Sequence, residues 1–369
     1  MAADEEFVTV EARGIRVTLD LAVGHIRELM VERDGRQVAP LHRAPWLEEA
    51  HAADTPAHLR RLSGDFLCAP FGLSDVDGSP AHGWPANSAW KPVEIRAIDG
   101  GRQARFELEK RVMGARVVKE LTVRDGHPFL YQRHLFQGGD GAVSVGLHMM
   151  VSLPQGGHLS FSPKRFVETP ADPQEADPLK GRSALAYPAR FSDLKKAPLA
   201  DGGTANLSCY PFDRNHEDCV MMPEAPGREL AWGAALRHHE ADLVLSLKRP
   251  EDFPSTLLWM SNGGRYYSPW NSRHRGVLGL EEVRTYLLAG HRASVEPNDY
   301  SEQGIPTSIS LTPSGEVDLR QAIGIMPVPP GWDRVTEVET RADRLAVLSD
   351  VGEFSVPYDP AFVLHRQGV

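Results

Sequence analysis

Cysteine is scarce in this chain: Cys68, Cys209 and Cys219 are the only three in 369 residues. An odd number without metal-type spacing excludes a disulfide scaffold and a cysteine zinc site, and it fits a reducing compartment. Positive charge is also short. Forty Lys and Arg stand against fifty Asp and Glu, a formal net charge of −10 with an isoelectric point near 5.8. A nucleic-acid partner needs clustered cations, so none is expected. No apolar run approaches the length of a membrane span. The first residues, Met-Ala-Ala-Asp-Glu-Glu, are acidic where a secretory signal is basic. These absences predict a cytoplasmic protein without a membrane partner. Repeats, low-complexity tracts and helical periodicity beyond a few turns are missing too, and nothing in the sequence reports an oligomeric state.

Turn formers are plentiful, with 33 glycines and 29 prolines, as many short strands require. Ile15, Val17, Leu19 and Leu21 alternate with polar residues at the period of a half-buried strand. A second strand over 26–33 runs into Asp34-Gly35, a hairpin dipeptide. Residues 44–62 hold helix formers broken by Thr55-Pro56, which predicts short helical turns. Strands are expected at 106–109, 117–123 and 129–135, then at 143–153, 230–235, 243–247, 256–260 and 308–311. The sum is an all-β chain: a large antiparallel β-sandwich with a few short helical turns. One domain is expected over residues 1–369, with 326–369 appended to it as a strand segment.

Several residues stand out against this background. The stretch from Ser79 to Trp90 packs His82, Gly83, Trp84 and Trp90 around Pro80 and Pro85, which suits an ordered loop at the mouth of a cavity. A second aromatic loop runs from Gly263 through Arg265, Tyr266, Tyr267 and Trp270. In the strand over 143–153, Val145, Leu147, Met149 and Val151 share one face, and His148 leaves on the other, two residues after Gly146. In Val277-Leu278-Gly279-Leu280-Glu281, the carboxylate likewise follows a glycine by two positions. Both glycines are expected to clear space beside an ionisable group. Glu282 points to the opposite face, with Arg284 as an expected surface partner. The proline- and acid-rich stretch 169–182 reads as a surface loop, and the polar run from Pro211 through Asp213 to Asp218 reads as the border of a site or, more simply, as a solvated turn.

The run Gly64-Asp65-Phe66-Leu67-Cys68-Ala69-Pro70-Phe71-Gly72, followed by Ala81-His82-Gly83-Trp84-Pro85-Ala86-Asn87-Ser88-Ala89-Trp90, resembles two motifs of the galactose mutarotase-like superfamily. These are its Pro-hydrophobic-Gly run and its His-Gly-aromatic-x-x-Asn-x-x-Trp signature. Aldose 1-epimerases and hexose-6-phosphate mutarotases belong there. The resemblance implies a sugar site lined by His82, an acid at the mid-chain strand histidine His148, and a base at the late strand glutamate Glu281. It spans roughly residues 64–290. The aromatic residue that follows the family's strand histidine is absent after His148, and no arginine lies in 64–72.

The chemistry agrees with the likeness. Anomer interconversion needs a base for the C1 hydroxyl and an acid for the ring oxygen. A carboxylate with a reference pKa of about 4.3 and an imidazole near 6.5 suit those roles in water. No metal or redox cofactor is required. Trp84, Asn87, Trp270, Asp213 and Arg265 are expected to complete the binding site. A phosphorylated sugar would draw on Arg265, Arg273 and Arg275. Two further classes fit the residues: a non-catalytic carbohydrate-binding or regulatory protein, and a glycoside hydrolase using Glu281 with Asp213 or Glu282. His238-His239 and the pair His51 and His58 lack a third zinc ligand and read as solvated surface histidines.

Overall fold

The computed structural model describes residues 6–33 and 35–365. Residues 1–5 of the acidic start and Asp34 of the expected Asp34-Gly35 turn lie outside them. Alternation along the strands builds two large antiparallel sheets that face each other. The seven-stranded sheet runs in the order Arg190–Phe191, Val167–Glu168, His216–Pro223, Ser255–Asn262, Val277–Arg284, Val145–Ser152, Leu67–Cys68. The nine-stranded sheet ends in Phe129–Gln137, Arg116–Arg124, Gly101–Leu108 and Trp90–Ile98, with Glu316–Pro327 near its middle. Helices are confined to single turns such as Ala57–Arg60 and Asp299–Glu302. Among the described residues none is long and apolar enough to cross a membrane.

The sandwich interior collects one side chain in two from each strand. Leu147, Met149, Leu258 and Leu280 of the seven-stranded sheet meet Phe106, Leu121, Val244 and Ile323 of the nine-stranded sheet in one cluster. Each such side chain, fully buried, contributes roughly 1.5–3 kcal/mol relative to exposure. A second cluster lies on the outer face of the seven-stranded sheet, where Met150, Cys219, Leu257 and Trp259 meet Phe66, Phe71 and Trp270 from loops. A third lies on the outer face of the nine-stranded sheet. There the strands Glu337–Arg341, Arg344–Ser349 and Gly352–Pro357 form their own sheet and cover Trp232, Leu245 and Tyr131. Residues 326–365 run from the end of a sheet strand into this outer layer.

Two polar stretches depart from expectation. The run taken for a solvated turn passes into the strand His216–Pro223, where His216, Glu217 and Asp218 are buried. Burial is tolerated because Asp218 is surrounded by donors: the backbone N–H groups of Ala184 and Leu185, the hydroxyl of Tyr187, and Nδ1 of His216 at 2.7 Å. Glu282 does point away from Glu281, but into the interior and not to the surface. It pairs there with Lys248, which also reaches Glu224 at 2.9 Å, while Lys164 pairs with Glu224. The Thr256 hydroxyl donates to Glu282 at 3.0 Å. Arg284 is bound instead to the carbonyls of Ser308 and Glu251.

Burial opposes ionisation of Glu224, but the Lys164 and Lys248 ammonium groups outweigh it and hold its carboxyl below the usual range. Removing one cation from this cluster leaves buried carboxylates uncompensated. Lys248→Met should therefore cost about 3–5 kcal/mol of stability, read as a fall in the denaturant midpoint. An unchanged midpoint would mean that the cluster carries no net stabilisation.

Candidate active site

The two motif segments, 64–72 and 79–90, fold as one unit. The Ala69 N–H donates to the His82 carbonyl at 3.3 Å, and the His82 N–H donates to Gly72 at 2.7 Å. His82 and Gly83 both have left-handed backbone, with φ of 64° and 72°. A side chain at Gly83 would stand 1.8 Å from the Ala69 carbonyl oxygen, so only glycine permits this approach. The result carries His82 over the outer face of the seven-stranded sheet, with its Nδ1 3.3 Å from the Cys68 sulfur.

Beneath it lies a cavity of about 390 Å³, in the size range of small-molecule sites. Antiparallel register sets His148 directly opposite Glu281 on neighbouring strands. Their side chains converge on the cavity floor, Nε2 to Oε1 3.6 Å. The His148 ring stacks on Phe66, centroids 4.5 Å apart, and meets His82 edge-on at 5.4 Å. The two glycines open space, but that space is filled. A Cβ at Gly146 would strike Phe71 at 2.4 Å, and one at Gly279 would lie 2.3 Å from Oε1 of Glu281 itself. Gly279 therefore provides the recess into which the carboxyl folds.

One cation enters this cavity. Arg265 lies over Trp270 at 4.5 Å and near Trp259 at 5.7 Å. Its Nε is 3.2 Å from Glu175 and 3.7 Å from Glu217, and its Nη2 donates to Gln174 at 3.1 Å. Gln174 and Glu175 belong to the stretch expected to be a surface loop. That loop folds against the aromatic loop, where Gly181 bridges to Arg265 and the Arg182 N–H donates to Gly264. The stretch is an irregular, largely exposed loop, as expected, with Gln174, Glu175 and Gly181 turned against Arg265 and its loop.

Of the residues singled out in the sequence, Glu281, His148, His82, Trp270 and Arg265 line the cavity, and Trp84, Asn87 and Asp213 do not. Trp84 packs at the edge of the inter-sheet core with Lys110 over its ring. Asp213 sits at the surface, paired with Arg182 at 2.5 Å. Asn87 acts one step removed. Its carbonyl oxygen accepts from the His58 backbone N–H at 3.1 Å and lies 2.9 Å from the His58 ring Nδ1, while its amide donates to Ala81 and Gly83. His58, expected at the solvated surface, is thereby fixed in the cavity wall. Trp270 is also recast, since Arg265 covers a face of its indole. Trp259 and Phe71 are lining residues that alternation alone does not distinguish from core.

Protonation differs from what reference values suggest. Burial pushes the Glu281 carboxyl well above its ordinary range, and the charge on Asp65 adds to the effect. Burial lowers His148 to about 3. Glu281 is 1% exposed and His148 6%, so a charge on either is poorly solvated. Burial therefore favours the protonated carboxyl and the neutral imidazole. This pair contains the same number of protons as a carboxylate beside an imidazolium, so it offers one acid and one base in either arrangement. Oε2 of Glu281 has no hydrogen-bond partner among the described residues.

A direct measurement follows. The infrared spectrum of the unmodified protein at pH 7, minus that of Glu281→Gln, should contain the carbonyl band of a protonated carboxyl. A difference showing only carboxylate bands would place the charge wrongly.

No family model matches the sequence, and no curated protein matches it. Solved structures do resemble it in three dimensions. A candidate aldose 1-epimerase from Escherichia coli K12 superposes with a TM-score of 0.57 at 11% identity, over 87% of this chain and 99% of that one. A galactose mutarotase related enzyme from Lactobacillus acidophilus gives 0.54 at 12%, over 88% and 98%. A galactose mutarotase-like protein from Lactobacillus casei gives 0.53 at 11%, over 87% and 100%. Sequence identities this low speak to architecture, and on that ground the chain has the galactose mutarotase-like fold.

Proposed function

We propose that the protein interconverts the α and β anomers of a sugar, an isomerase reaction of the aldose 1-epimerase type. The observation that carries this reading is the buried pair His148 and Glu281, side by side at 3.6 Å on the floor of a sugar-sized cavity. In a cyclic aldose the ring oxygen and the anomeric hydroxyl are bonded to the same carbon. An acid and a base that serve both must therefore stand together, as these do. A glycoside hydrolase needs two carboxyl groups about 5–9.5 Å apart across the scissile bond. Among the described residues only one carboxylate side chain, Glu281, lines this cavity. Asp213 lies at the surface and Glu282 faces the interior, so neither supports that alternative.

The reaction proceeds by ring opening. One member of the pair takes the proton from the C1 hydroxyl, the bond between C1 and the ring oxygen breaks, and the other member protonates that oxygen. Rotation about C1–C2 turns the aldehyde. Closure then returns both protons by the reverse transfers. The family resemblance assigns Glu281 as base and His148 as acid. The proton placement favoured by burial starts from the mirrored arrangement, and the hydrogen-bonding hydroxyls of a bound sugar supply the polarity that can move the proton between them. His82 and His58 hydrogen-bond the sugar, with Asn87 as the residue that positions His58. The solved structures with the same fold, named as mutarotase- or epimerase-related proteins, support the sugar as ligand.

Polarimetry on freshly dissolved α-glucose and α-galactose tests the proposal. Glu281→Gln and His148→Asn should each lower the catalysed rate by roughly a hundredfold to ten-thousandfold, with sugar binding retained. His82→Asn should chiefly raise KM. Gly279→Ala, whose methyl group would meet Oε1 of Glu281, should lower kcat with little effect on binding. Unchanged rates in Glu281→Gln would sink the assignment, and a protein that binds sugars without accelerating mutarotation would be a non-catalytic binder.

A further inference from the structure

The lining of the cavity says more about the sugar than that it is an aldose. Five leucines, Leu59, Leu62, Leu73, Leu257 and Leu288, contribute to its wall, together with Phe71. They come from separate parts of the chain. Leu257 lies opposite Glu281 in strand register. Leu73 and Leu288 come from two loops that are tied by the His291 N–H donating to the Leu73 carbonyl at 3.0 Å. A leucine cannot hydrogen-bond a hydroxyl, and a hydroxyl turned against such a wall loses its water without replacement. An apolar wall of this extent is poorly matched to a hexopyranose with a hydroxyl on every carbon but C5.

Charge narrows the class further. Arg265 is the only Lys or Arg side chain among the described residues that lines the cavity. It is already engaged by Glu175, Glu217 and Gln174 and lies over Trp270. The histidines add no positive charge at neutral pH, because burial lowers His58, His82 and His148. A phosphate or carboxylate on the sugar would find no uncommitted cation.

Resting on the isomerase reading above, we infer that the substrate is a neutral deoxy sugar whose missing hydroxyl is on the exocyclic carbon, a 6-deoxyhexose. The position follows from covalent geometry. C5, which bears the exocyclic carbon, is bonded to the ring oxygen, so that carbon lies at the same end of the ring as the reacting atoms. Once the ring oxygen is engaged by His148 and Glu281, the neighbouring side chain across the strand is Leu257. Leu257 offers contact to a methyl group and no hydrogen bond to a hydroxymethyl group.

Three pairs of fresh single anomers that differ only at this carbon provide the test: D-fucose with D-galactose, D-quinovose with D-glucose, and L-rhamnose with L-mannose. Glucose 6-phosphate and galactose 6-phosphate complete the panel. The unmodified protein should show kcat/KM about tenfold to a hundredfold higher for the deoxy member of at least one pair, and no acceleration with either phosphate. Equal rates within every pair, faster reaction of the hydroxylated members, or preferred turnover of a phosphate would overturn the inference and leave the isomerase reading standing. If no sugar is turned over, the melting temperature decides. A larger rise with the deoxy member keeps the substrate class while the isomerase reading fails, and no difference within any pair removes both.

Discussion

The register between Val145–Ser152 and Val277–Arg284 is the constraint on which the rest depends. Side chains alternate strictly along a strand, so a slip of one residue would turn His148 and Glu281 inward and expose Leu147 and Leu280. The register is held from behind. Leu147, Met149, Leu278 and Leu280 are fully buried between the sheets, and their burial costs far more to undo than any contact within the cavity contributes. The sandwich core thus sets the distance between two polar groups that the core itself never touches.

Adjacent residues on the same strand show how differently a buried carboxyl is accommodated. Glu282 faces inward and stays paired with Lys248 in a cluster that also contains Glu224 and Lys164. Glu281 faces the cavity with no Lys or Arg paired to it among the described residues, and burial pushes its carboxyl toward the protonated form. The first solution stabilises a fixed arrangement. The second leaves a proton that can be transferred, which is the property a general acid or base requires.

The cavity is enclosed by irregular chain laid over a regular floor. Strands supply His148, Trp259 and Glu281, while loops supply His82, Gln174 and Arg265. Each loop is held by its own polar contacts: the Ala69 and Gly83 approach for one, the Arg265 network with Glu175 and Glu217 for another. Those contacts engage Gln174 and Arg265, while Oε2 of Glu281 and Nδ1 of His148 have no hydrogen-bond partner among the described residues. The rest of the cavity lining is largely leucine and aromatic carbon.

The sequence by itself determined the β architecture and the placement of its two most informative strands. Alternation over 145–151 and 277–283 is a local property, legible because period-two burial leaves its mark residue by residue. The motif around His82 was legible for a similar reason, since Gly83 answers a local backbone demand. Only tertiary structure decided what these elements meet. That Glu282 faces Lys248 and not solvent, that His216 and Asp218 are buried, and that the 169–182 loop supplies Gln174 and Glu175 all depend on contacts between segments far apart in the chain. Asn87 became a support for His58, and Trp270 a platform for Arg265, on the same ground. Local pattern states which face a side chain takes, but whether that face meets water, a cavity or an opposite charge is settled by the partner that packs against it.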